Sequence, residues 1–147
     1  MIEFAGIAIP VLPIHISVLV VLVVLIIYAD HQGFDWVTGK KQTLDKKVVT
    51  RVHFATLIGL ILMILTGATM AYPMLDYLLT VPAFIVKMFF VGALIVNSYF
   101  IGTFMKVAFE RPFPSLSFKE KLPLFVSGAV SAGSWLGAVI SAFNLGL

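Results

Sequence analysis

Four stretches of about 20 apolar residues, separated by short polar connections, leave this chain few folds to choose from. A membrane-crossing helix rises 1.5 Å per residue and needs roughly 20 apolar residues to traverse about 30 Å of hydrocarbon. The stretches cover residues 7–28, 52–72, 82–104 and 122–143, and each is long enough. Lipid offers no hydrogen bond to a bare peptide group, so only helices and closed barrels cross it, and unbroken apolar runs of this length select the helix. Composition agrees: 61% of the 147 residues are hydrophobic and 12% are charged, about half the charged share of an ordinary soluble domain. The expected fold is all-α, a single domain over 1–147 built as a four-transmembrane-helix bundle running up-down-up-down.

The opening run is expected to stay in the mature chain. Its flank carries the acidic Glu3 and no basic residue, and its apolar stretch is longer than that of a cleaved leader. There is no cysteine, which removes disulfides, thiolate metal sites and cysteine nucleophiles. Orientation follows from the basic residues. Lys40, Lys41, Lys46, Lys47 and Arg51 precede the second span, and Lys106, Arg111, Lys119 and Lys121 precede the fourth, so nine of the ten Lys and Arg lie in two connections. The opposite side offers Glu3 and Asp76. The positive-inside rule then places loops 29–51 and 105–121 in the cytoplasm and both termini outside. The net charge of +3 is read as orientation and attraction to anionic lipid rather than as a nucleic-acid surface.

With the sides fixed, helix rise converts position into depth. His15 falls roughly 12 Å from the outer surface and Lys87 about 8 Å, while Thr66, Thr69, Ser134 and Trp135 fall at about 5 to 15 Å. All four spans thus contribute to one outer polar layer. Polar groups in hydrocarbon are expensive unless they meet one another, so they are expected to turn inward on a shared, electropositive site. A thinner cluster gathers near the cytoplasmic end: His53 just inside the second span, Asp30 and His31 at the end of the first, and Asn97 on the third. Gly33 and Asp35 mark a turn beside His31. His15 and His53 differ in depth by roughly 15 Å, too far to hold one ion or one haem iron together.

The segment "RVHFATLIGLILMILTG", Arg51 to Gly67, resembles the haem-ligating helix of small b-type membrane cytochromes, in which a basic residue and a histidine open a span that closes on Thr-Gly. That resemblance implies a possible haem b, with His15 or His53 as axial ligand, His31 as partner of His53, and Lys87 or Arg51 near the propionates. Over a longer span the chain resembles uncharacterised bacterial four-helix membrane proteins of the copper-resistance D type. The shared features are a histidine in the first span, "AD" at its end, "TG" in the second span, "VKMFFVGALIVN" in the third and "GAVSAGSW" in the fourth. This likeness implies a fold and a bacterial inner membrane, and it draws attention to His15 and Lys87.

In the fourth span Gly133 and Gly137, extended by Ala129 and Ser141, form a small-residue ridge suited to close helix approach, within the bundle or against another subunit or a second copy. Gly59, Gly67 and Gly92 are further contact points, and Tyr28, Trp36, Tyr72, Tyr77 and Trp135 outline interfacial aromatic belts. No phosphate-binding loop, HExxH motif or hydrolytic triad is present, and no carboxylate sits in the middle of a span. An enzyme acting alone is therefore not expected. Three readings stand. The first is a non-catalytic accessory or assembly subunit of a larger membrane complex. The second is a haem-b-type electron-transfer module. The third is a small oligomeric channel, carrier or ligand sensor that uses the outer polar layer of His15, Lys87, Thr66, Thr69, Ser134 and Trp135; the ligand-binding candidates are Thr66, Ser134, Trp135 and, from the inner cluster, Asn97. The missing mid-membrane carboxylate and unmatched histidines place the accessory subunit first.

Overall fold

The computed structural model describes residues 2–4 and 7–145, with side chains from Pro10 to Leu145. Four helices are long and apolar enough to cross a membrane, and they fit an integral membrane protein. Ahead of them two three-residue strands, β1 (Ile2–Phe4) and β2 (Ile7–Ile9), pair antiparallel. The helices are α1 (Val11–Val37), α2 (Lys46–Ala71), a single turn α3 (Leu75–Leu78), α4 (Pro82–Phe104) and α5 (Phe118–Phe143). Contacts gather them into two compact units, Met1–Phe34 with Asp45–Leu75 and Asp35–Leu44 with Asp76–Leu147.

The third span matches its expected limits, because Pro82 takes the first helical position, where its missing N–H is no loss. The other three helices differ from expectation at their ends. α1 begins at Val11 rather than residue 7, since Ile7–Ile9 is extended. It then continues through the turn expected at Gly33 and Asp35. The chain reverses instead at Gly39, whose φ of 78° belongs to the left-handed region and whose N–H bonds the Trp36 carbonyl. α2 starts at Lys46 because the Asp45 side chain accepts the N–H groups of Lys47 and Val48. α5 starts at Phe118, five residues ahead of Pro123, where Glu120 reaches back to the backbone N–H of Ser117. Helix signals in the polar flanks, not the limits of the apolar runs, set these ends.

In the first unit α1 and α2 touch through side chains. Leu22, 1% exposed, lies against Gly59, where an added Cβ would stand 2.5 Å from Leu22 Cδ2. Seven residues earlier on α1, His15 meets Thr66, seven residues later on α2, so the contacts run in opposite order along the two helices. In the second unit α4 and α5 approach more closely, with Cα atoms repeatedly within 8 Å. Ser127, Ser134 and Ser141, spaced by seven, are buried on α5 together with Ala138, and Phe84, Leu94 and Asn97 are buried on α4. Phe90 fills the space over Gly137. Small side chains permit this approach, because lipid is as apolar as leucine and helices in it associate by close packing.

The most completely buried apolar residues of the second unit lie at the last turn of α1 and in the connections between helices. Trp36, Leu44, Ala108 and Leu116 are all under 5% exposed, and they close a small core at the connections 35–44 and 105–117. Trp36 Nε1 donates to the Arg111 carbonyl at 3.0 Å, and the Leu44 N–H donates to the Ala108 carbonyl at 2.8 Å. The Phe113 ring stands edge-on to Trp36 at 5.1 Å and to Phe125 at 5.7 Å. Apolar groups are driven together where water surrounds them, so this cap has a core that the lipid-facing stretches do not need. Trp36, expected in an aromatic belt, belongs to it.

Candidate functional site

The polar side chains of the first unit meet at His15 and Thr66. His15 is buried on the second turn of α1, and its Nδ1 lies 2.7 Å from Thr66 Oγ1. The Thr66 hydroxyl carries one proton and directs it at the Leu62 carbonyl, also at 2.7 Å, a back-bond that threonine makes readily inside helices. The imidazole Nδ1–H is then the donor to Thr66 Oγ1. Gly67 lies beside this ring, and a Cβ there would be 3.5 Å from His15 Cε1. The Thr-Gly pair that closes the second span thus has a defined role, since threonine orients the histidine and glycine leaves room for it.

In the second unit the corresponding pair is Asn97 and Ser127. Asn97 Nδ2 donates to the Ser127 carbonyl at 3.0 Å, and Ser127 Oγ donates back to Asn97 Oδ1 at 2.8 Å. Both residues are buried, so each satisfies a group that would otherwise be stranded in an apolar setting. Asn97 is in this way a link between α4 and α5. Ser127 did not figure among the expected site residues. Its one sequence signal is the seven-residue spacing to Ser134 and Ser141.

The remaining expected residues lie on α1, α2, α4 and α5. Lys87 is half-buried on α4, Ser134 is buried on α5 and Trp135 beside it is half-buried. His53 is half-buried in the third turn of α2, and His31 and Arg51 are exposed on α1 and α2. Asp30 and His31 lie within α1, which continues six residues beyond His31. Among the described residues no group of three His, Asp or Glu side chains is placed to hold a metal ion. The expected small-residue ridge on α5 divides: Gly137 lies against Phe90 of α4 and Ser141 is buried, whereas Ala129 and Gly133 are exposed, with no described atom within 4 Å of a Cβ added at Gly133.

The connections hold a second group of polar contacts. Asp35 sits 3.8 Å from both Lys40 and Lys41. Arg111 pairs with Glu120, which also accepts from the Ser117 hydroxyl at 2.8 Å. The Lys121 ammonium lies 5.0 Å from the centre of the Phe113 ring, within cation–π range. No family model, no curated protein and no solved structure matches the chain.

Proposed function

We propose that this chain is a non-catalytic accessory or assembly subunit of a larger membrane complex, held with both basic connections in the cytoplasm. The observation that carries the reading is the division of the α5 ridge. Gly137 is occupied by Phe90 within the α4–α5 pair, while Gly133 and Ala129 leave a shallow strip facing outward. A strip of this kind admits the backbone of another helix, from a different subunit or a second copy. The buried polar groups also support it, because His15 with Thr66 and Asn97 with Ser127 pair inside their own units.

The test is purification in a mild detergent from the native membrane. The wild-type chain is expected to run as a stable assembly, and Gly133→Leu to release it as a folded monomer. A wild-type chain that purifies alone, with the same size as Gly133→Leu, would discard the reading.

A second reading, a haem-binding electron-transfer module, draws on one observation. His15 is a buried histidine of a membrane helix whose Nδ1 is held by Thr66, and ligating imidazoles are oriented by such hydrogen bonds. Its readout is a reduced-minus-oxidised absorption band that is absent from His15→Phe.

A further inference from the structure

The cap of the second unit carries more positive charge than its own structure neutralises. Lys40, Lys41, Lys106, Arg111, Lys119 and Lys121 face three acidic residues, Asp35, Glu110 and Glu120. Two of these acids are already engaged inside the cap, Asp35 with Lys40 and Lys41, and Glu120 with Arg111 and Ser117. Lys106 and Lys119 are exposed and have no acidic partner among the described residues. Their positions also matter. Lys106 lies two residues past the end of α4, and Lys119 is the second residue of α5, directly after Phe118, which is 75% exposed. An exposed ring followed by a lysine at the end of a membrane helix is the pattern of an interfacial anchor, with the ring among acyl chains and the ammonium at headgroup level.

We propose that this cap binds the phosphate headgroup of an anionic phospholipid, through Lys106 and Lys119. Charge complementarity and position together favour lipid. The cap is continuous with two membrane-spanning helices, so a headgroup needs no approach from solution. Its framework is held, since the Trp36–Arg111 and Leu44–Ala108 hydrogen bonds tie connection 35–44 to connection 105–117, which carries Lys106 and leads into α5 at Lys119. A preformed arrangement loses less freedom on binding than a mobile tail of equal charge.

The experiment titrates phosphatidylglycerol into the detergent-solubilised full chain and reads bound lipid by native mass spectrometry. Each juxtamembrane lysine contributes about fivefold in affinity for an anionic surface, so Lys106→Gln with Lys119→Gln should weaken binding roughly 25-fold. The pair Lys46→Gln with Lys47→Gln, on the other unit, should leave tight binding in place. Thermal unfolding in detergent without added lipid should be the same for all three proteins, which separates lost binding from lost folding. The proposal is overturned if phosphatidylcholine binds as tightly as phosphatidylglycerol, or if the Lys106 and Lys119 variant keeps its affinity. It is equally overturned if millimolar inorganic phosphate displaces the lipid, since that would make the site one for free anions.

Discussion

At the scale of single residues, the buried polar side chains show how a histidine is accommodated in an apolar helix. An imidazole in hydrocarbon without partners costs several kcal/mol, and His15 avoids this by donating to Thr66, whose own proton goes to a backbone carbonyl one turn away. The hydroxyl is the necessary group, not the methyl. Thr66→Val keeps the shape and removes the acceptor, so unfolding in mixed micelles should show a loss of about 1–2 kcal/mol. Thr66→Ser should retain most of that stability. Equal midpoints for the Val and Ser variants would mean that the hydrogen bond contributes nothing. Legibility at this scale was partial. His15 and Thr66 stood out because polar residues are rare in such spans, but depth alone assigned them to a layer, and the partner of each was decided by helix rotation. Asn97 illustrates this, since its depth does not reveal that its amide meets Ser127.

Among elements, the two helix pairs differ in how they touch. α1 and α2 meet through Leu22 and His15 set against glycines, whereas α4 and α5 press small residues together over most of their length. Gly137 is the tightest point of the second pair, because any Cβ there would collide with the Phe90 ring. Gly137→Leu should therefore destabilise the chain by about 1–3 kcal/mol, as overpacking does elsewhere. Gly133→Leu, on the open side, should change the unfolding midpoint little in a detergent harsh enough to make the wild-type chain monomeric. The measurement is thermal unfolding of both variants in the same detergent, and a larger effect at Gly133 would contradict the packing. The GxxxG spacing was visible in the sequence, but which glycine faces the neighbouring helix was not. That choice depends on the serines at 127, 134 and 141, whose spacing defines a face rotated away from Gly133. Helix ends behaved similarly, with Asp45 and Ser117–Glu120 extending α2 and α5 beyond their apolar runs.

For the whole molecule the governing contrast is between lipid and water as surroundings. Lipid-facing residues need no burial, and large apolar side chains such as Val20, Val24, Ile27 and Phe89 stay exposed on the helices. Around the connections the chain makes a compact core from Trp36, Leu44, Ala108, Phe113 and Leu116. Concentration of Lys and Arg in those connections leads to a topology test. Single cysteines at Thr43 and Ser115 should be shielded from an impermeant thiol reagent in intact cells and labelled after lysis, while one at Asp76 should be labelled at once. The reverse pattern would invert the assignment of sides.

The sequence by itself determined the number of membrane helices, their approximate spans and the clustering of charge, because hydrophobic length and charge act through the surroundings and need no knowledge of neighbours. Tertiary structure decided what depends on rotation and on residues distant in the chain: that Thr66 orients His15, that Asn97 closes on Ser127, that Gly137 rather than Gly133 lies under Phe90, and that Trp36 closes the cap through Arg111. The physical reason is the same in each case. A helix has a side chain every 100° around its axis, and only a packed partner settles which of those directions is inside.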